Sequence, residues 1–407
     1  MKKTSGDTMI VGVLNYRFDY YPYRRTILNQ VPGVTYQPVQ DIYSNLNRAA
    51  KKVNRTVGKE VFSTFNLNNQ FQDLGLNNVD LLHFFNGVSF GSTPWVAHFE
   101  TIIPRLSDLV TRHQGQEVSQ NRLNARSRRA FHTLSGDACK QLIALSDCSR
   151  RMEIDLLESL PEVDPAAIQE KLVVLHPPQA TVVRDISEKN LTMNGKIHFM
   201  IVGAGFIRKG GREILRVFEH LVRDKHYPIE LTIISSLRMD HYAAHETEAD
   251  VQAVKERIAA NTDWIDYYEK LPNPQVLDLM RGAHVGLLPT YADTYGYSVL
   301  EFQAAGTPVI STDVRALPEI NPSKAGWLIE VPRNRLGEAH YTTPQERETL
   351  SQAIEAGLEQ QMATIFADLS QIPHKGAAAL ARIQQEHDPI RYGERLREIY
   401  SQALRTN

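Results

Sequence analysis

Two carboxylates, Asp293 and Glu301, flank a glycine-bearing turn within Leu287 to Glu319, LLPTYADTYGYSVLEFQAAGTPVISTDVRALPE. A carboxylate accepts hydrogen bonds in pairs, which suits it to the adjacent hydroxyls of a sugar or a ribose. Upstream, Arg208 and Lys209 stand beside Gly210 and Gly211 in the loop Ala204 to Gly211. Two such cations can neutralise a diphosphate, and the glycines let backbone come close to it. Neutralising a departing group is where such a site gains most catalytic power. The combination predicts a ligand that carries hydroxyls and phosphates together.

These residues need a frame to hold them. His284 to Leu288 is a short apolar run suited to a buried strand, and Pro289 to Tyr297 is turn chemistry. Ser298 to Ala305 reads as a helix closed by Gly306, with Glu301 expected in its first turn, and Thr307 to Thr312 reads as the next strand. The loop of such a unit lies beyond the carboxyl end of its strand, where open parallel sheets bind ligands. Free N–H groups at the helix start, around Gly296, Tyr297 and Ser298, favour a phosphate there. Lys196 to Gly203, KIHFMIVG, reads as a second buried strand, and Ile214, Val217, Phe218 and Leu221 follow at helical spacing. Arg208 and Lys209 therefore also lie between a strand and a helix.

The first half alternates in the same way. Met9 to Leu14, Val79 to Phe85, Trp95 to Phe99 and Gln141 to Leu145 read as strands of a doubly wound α/β domain. His83, Asn86, His98 and Glu100 fall at or just beyond strand ends, which makes them candidates for acceptor contact or proton transfer. A strand at Lys171 to Leu175 and the Pro177-Pro178 break place the crossover between domains in His176 to Asn194. The last helix, Pro389 to Leu404, carries Ile390, Leu396, Ile399, Tyr400 and Leu404 at helical spacing.

A chain of 407 residues exceeds what one core usually supports, so two domains are expected. Its 45 basic and 47 acidic residues leave a net charge of −2, which argues against a dedicated nucleic-acid binder. Two cysteines, Cys139 and Cys148, make neither a disulfide framework nor a zinc site, and the expectation is a reducing, cytoplasmic compartment. No apolar run approaches the length of a membrane span and no signal-peptide core is evident. Two basic stretches, Arg48 with Lys51, Lys52 and Arg55, and Arg122 with Arg126, Arg128 and Arg129, read either as solvated faces or as peripheral contacts with an anionic membrane.

With these residues in place, the chain resembles the family-four glycosyltransferases of the GT-B fold. Their Glu-x7-Glu motif sits in a longer pattern, matched here by Asp293, Gly296, Glu301, Ala304, Gly306, Pro308, Val309, Ile310, Pro318 and Glu319. Gly203-Ala204-Gly205-Phe206-Ile207-Arg208-Lys209-Gly210 is similar to the family's glycine-rich loop, and Ile265 to Pro289 to the stretch lining the nucleotide base. The resemblance is strong over Ile197 to Glu330 and weak before it.

It implies two Rossmann-like doubly wound domains facing a central cleft. Residues 1–185 with a returning helix at 386–407 would form the acceptor side, and residues 186–385 would bind the nucleotide sugar. It also implies a retaining, metal-independent transferase that needs no cofactor. Sugar would move from a nucleotide-diphosphate donor to a hydroxyl of a glycan, lipid-linked or small-molecule acceptor, in cell-surface polysaccharide or glycoconjugate synthesis. By the resemblance, Lys209 takes the diphosphate and Glu301 the ribose, while Asp293 touches the transferred sugar with a side chain one methylene shorter than the family's glutamate. The family's loop arginine is Ala204 here, so Arg208 stands in as second cation. His98, in PWVAHFE, matches a histidine that reaches toward the sugar, and Gly203, Gly205, Tyr295, Gly296, Tyr297 and Ser298 complete the donor site.

Plainer readings of the same residues stay open at this point. Glu301 reads also as a charge complementing a helix dipole, Asp293 as a cap, Arg208 as a solvated loop charge, and His98 as a histidine satisfied inside the fold. A nucleotide-sugar epimerase of the same fold and a catalytically silent nucleotide-sugar-binding protein are the alternative functions.

Overall fold

The computed structural model describes residues 8–110, 123–189, 195–240 and 242–405. Arg122 and the last five residues of the expected crossover, 190–194, lie outside the described residues. The chain forms two compact units, residues 1–178 with 389–407 and residues 179–388.

The N-terminal unit holds β1 (Met9–Leu14), β2 (Val34–Val39), β3 (Gln70–Phe71), β4 (Leu81–Phe85), β5 (Val88–Ser89), β6 (Trp95–Phe99), β7 (Cys139–Ala144) and β8 (Leu172–Val174). Its main sheet runs β2-β1-β4-β6-β7-β8, all parallel, while β3 and β5 pair separately. Every residue of β4 and of β6 is buried, as unbroken apolar runs in a parallel sheet covered on both faces should be. β2 breaks that pattern: VTYQPV carries Pro38 and is partly exposed, which a strand tolerates only at a sheet edge. The helix Pro389–Arg405 belongs to this unit, packing Tyr392, Leu396, Ile399 and Tyr400 against Val11, Leu81, Val96 and Ile143.

The C-terminal unit contains β9 (Ile197–Val202), β10 (Ile229–Ile234), β11 (Ile265–Tyr268), β12 (Val285–Leu288), β13 (Val309–Thr312) and β14 (Trp327–Ile329). They form one parallel sheet in the order β11-β10-β9-β12-β13-β14. From β9 the chain winds outward through β10 to β11 and then returns to the other side of β9 as β12. The connections leaving β9 and β12 therefore run toward opposite edges of the sheet, which makes the carboxyl edge between these neighbouring strands the place where open parallel sheets put a ligand crevice. Those two loops are the ones that carry Arg208 with Lys209, and Asp293.

Candidate functional site

The loop after β9 can reach the loop after β12 because two of its positions hold glycine. At Gly210, with φ +80°, a Cβ would stand 2.1 Å from the Pro289 carbonyl oxygen, so any side chain would force the loops apart. At Gly203, with φ +146°, a Cβ would meet the Lys209 stem at 2.5 Å. Gly203 is therefore the channel along which Lys209 runs to its partner. The close approach expected of Gly210 and Gly211 is made here to the protein's own groups, the Pro289 carbonyl and the Phe206 ring. Backbone bonds seal the contact, since the Tyr291 N–H donates to the Arg208 carbonyl at 2.9 Å.

Lys209 Nζ ends 2.7 Å from Asp293 Oδ2, and each side chain is 13% exposed. Asp293 Oδ1 meanwhile accepts from the backbone N–H of Gly296 at 2.9 Å and of Tyr295 at 3.3 Å. Asp293 therefore orders the turn into the helix and also presents charge. Burial alone would raise its carboxyl, but the charges of Lys209 and Arg208, with those hydrogen bonds, hold it down to about 2. Arg208 is tied on both sides, its Nε 2.5 Å from Asp240 Oδ2 and its guanidinium donating to the Ala292 carbonyl. It clamps the two loops and adds positive charge beside Asp293.

The helix after this turn spans Tyr297–Ala304, with Gly296 as its N-cap in the left-handed region. No acidic residue lies in its first turn. Glu301 falls one step further along, half-buried, and shares a face with Tyr297 and Ser298 at three- and four-residue spacing. The Ser298 hydroxyl is enclosed with no protein partner among the described residues. Tyr295 departs from the donor-binding expectation. Its side chain is 1% exposed and belongs to the core, while its backbone N–H is aimed at Asp293.

Three groups at this edge carried no motif. Asp240, in the loop after β10, orients Arg208, and no spacing links the two in sequence. Glu246, further along the same loop, is buried; burial and the neighbouring Asp240 and Asp250 charges push it up to about 7, against the Asp240 amide and Arg208. Arg315, after β13, holds a left-handed backbone and forms a buried pair with Glu338 at 2.7 Å.

In the N-terminal unit the four strand-end candidates separate into two pairs. Asn86 and Glu100 lie beyond β4 and β6 and line a cavity of about 200 Å³ with Arg17, Tyr20 and Arg105, where Arg105 pairs with Glu100. His83 and His98 lie within the strands, and both are fully buried. His83 Nε2 is 2.8 Å from His98 Nδ1, His83 Nδ1 is 2.6 Å from the Tyr400 hydroxyl, and His98 Nε2 is 3.0 Å from the Tyr392 hydroxyl. Burial holds His98 down to about 3, a neutral ring. The expectation that His98 reaches toward a sugar is corrected by this placement, because a buried imidazole with both nitrogens engaged has no face left for substrate. The signal for its partners was present, as Tyr392 and Tyr400 stand eight residues apart on the apolar side of the last helix.

The fold has solved relatives. A glycosyltransferase from Rickettsia africae superposes with a TM-score of 0.58 over 99% of this chain and 100% of its own, at 14% identity. HepE from Anabaena, in complex with UDP, superposes with a TM-score of 0.55 over 97% of this chain and 99% of its own, also at 14% identity. Two parallel-sheet units with such neighbours define the GT-B glycosyltransferase fold.

Residues 182–357, most of the C-terminal unit, match the family described as glycosyl transferases group 1. A D-inositol 3-phosphate glycosyltransferase of Arthrobacter sp. is 27% identical over 139 residues, 33% of this chain and 31% of that protein. One of Streptomyces scabiei is 32% identical over 69 residues, 17% of this chain and 16% of that protein. The matched stretch is thus under a third of the length of either curated relative.

Proposed function

We propose that the protein is a retaining glycosyltransferase that binds a nucleotide-diphosphate sugar at the carboxyl edge of its C-terminal sheet. The observation that carries this reading is the Lys209–Asp293 pair at the crevice between β9 and β12, inside the family-matched region. Lys209 neutralises the diphosphate and Glu301 accepts from the ribose hydroxyls. Asp293, ionised at any physiological pH, accepts from a sugar hydroxyl while its other oxygen keeps the turn in place. Arg208 adds field from behind the loop, held by Asp240. The amides at the start of the helix Tyr297–Ala304 complete the phosphate cradle.

In the transfer step the bond from the anomeric carbon to the phosphate oxygen breaks and one to the acceptor oxygen forms on the same face. The acceptor proton passes to the departing phosphate, so the protein supplies charge and position but no carboxylate nucleophile. Lys209 and Arg208 provide the positive charge that a metal ion would otherwise bring, so transfer should survive a chelator. The acceptor is a hydroxyl of a glycan, a lipid-linked saccharide or a small polyol, in glycoconjugate synthesis.

The test is to incubate the protein with UDP-, GDP- and ADP-sugars, with and without acceptors, and to identify the products. A new glycoside with unchanged anomeric configuration supports the reading. An epimerised nucleotide sugar formed without acceptor would assign the other enzyme class, and binding without any turnover would assign a silent receptor.

A further inference from the structure

The helix Ile42–Val57 is built the wrong way round for a helix that only packs on its own domain. It buries Asn47 and Ala50. Ile42, Leu46, Ala49, Val53 and Val57 recur every three or four residues and all lie exposed. Residues at that spacing form a single stripe along a helix, which ordinarily faces a core.

Neighbouring loops extend this surface. Beyond the helix, Val61 and Phe62 are held beside it by Asn54, whose side chain accepts from both their N–H groups and donates to the Phe62 carbonyl at 2.8 Å. At the other end, the Ile42 N–H donates to the Gln72 carbonyl and the Asn77 side chain to the Gln40 carbonyl, which brings the intervening loop to the helix start. That loop exposes Leu74 at 68% and Leu76 at 85%. Exposed apolar side chains gathered in this way mark a contact surface.

The charge beside the stripe has one sign. Arg48, Lys51, Lys52, Arg55 and Lys59 occur between Ile42 and Lys59 without one acidic residue. Asp41 before them is buried, taken up in capping Ser44, and Glu60 follows them.

The geometry points to an anionic lipid bilayer as the partner of this face, with the apolar stripe entering the headgroup region and the basic side chains meeting lipid phosphates. A helix with an apolar stripe and a cationic, acid-free polar face is suited to lying in a membrane interface. A second copy of the same face would bring five cations against five, which disfavours self-association. No described helix is long and apolar enough to cross a membrane, so the contact is a surface one. The inference is independent of the donor site, which lies in the other unit.

Co-sedimentation of the full-length protein with vesicles tests it, using phosphatidylcholine alone and an equal mixture with phosphatidylglycerol. The mixed vesicles should bind at least about tenfold more tightly, and added salt should weaken the binding. Leu46→Glu with Val53→Glu, and separately Arg48→Glu with Lys52→Glu, should each weaken it by about tenfold or more, with circular dichroism unchanged. Lys209→Ala should bind vesicles like the wild type. Equal or no retention on the two vesicle types, or wild-type binding by both double variants, would overturn the proposal. So would a concentration-dependent dimer abolished by the Leu46 and Val53 changes, which would assign the face to a second copy.

Discussion

The two units lay polar residues along the same kind of parallel sheet and use them in opposite ways. In the C-terminal unit the charged groups stand in loops past the strand ends, and cations hold the Asp293 carboxyl down to about 2, fully ionised. In the N-terminal unit the histidines stand inside β4 and β6, and burial keeps them neutral. Two residues of displacement along a strand separate these outcomes. Glu100 directly follows β6 and lines a cavity, whereas His98, two positions earlier, is locked against the C-terminal helix. Ionisable side chains past a strand end can meet a ligand; those within it hold the fold together.

The widest separation between the units should appear in turnover. Lys209→Ala removes the group proposed to neutralise the diphosphate and should lower kcat by roughly 10²- to 10³-fold. His98→Gln in the same assay should stay within about threefold of wild type. A His98→Gln variant as inactive as Lys209→Ala would break the contrast.

Donor affinity gives the next effect in size. Glu301→Ala should weaken binding of the nucleotide measured by calorimetry by about 10- to 100-fold, the range for losing hydrogen bonds to a charged group. Unchanged affinity would return Glu301 to the role of a helix charge.

Stability should show the reverse ranking. Tyr400→Phe leaves His83 Nδ1 without its partner inside the core and should cost about 1–3 kcal/mol in urea unfolding, with donor binding intact.

The smallest effect is a difference in pH dependence. Glu153, fully buried and accepting from the Ile103 N–H at 2.8 Å, is pushed up to about 8 by burial against that bond's opposing pull. A carboxyl raised in this way binds more protons folded than unfolded between its ordinary 4.5 and about 8. Its contribution is present below 4.5 and lost as pH climbs through that window. Asp293 has the opposite sign, contributing above its ordinary 3.8 and losing that contribution as pH falls toward about 2. Unfolding midpoints taken across pH 4.5 to 8 should therefore fall less steeply for Glu153→Gln than for wild type. Parallel slopes would refute the assignment.

Much of the proposed donor edge was legible because its residues sit close together in sequence, on motif spacings imposed by one turn. Lys209 and Asp293 come from different segments, yet the carboxyl-edge rule placed both loops at one crevice. Asp240 was not legible, since a lone aspartate in an unpatterned loop has no spacing to reveal that it faces Arg208. The edge strand β2 escaped because Pro38 and its polar residues resemble a loop, and only pairing with β1 makes it a strand. His98 misled although the strand end was read correctly at Phe99, because a residue one step inside that end is buried and taken up by Tyr392 of the last helix. On the helix Ile42–Val57 the basic residues were visible, but burial alone reveals that its apolar stripe faces out.

Calorimetric titration of nucleoside diphosphates into the wild type and Lys209→Ala tests the central claim most directly. One of UDP, GDP or ADP should bind the wild type with one-to-one stoichiometry, and Lys209→Ala should weaken that binding at least about tenfold without changing the fold. Wild-type affinity in Lys209→Ala would contradict the assignment of the β9–β12 crevice as the diphosphate site.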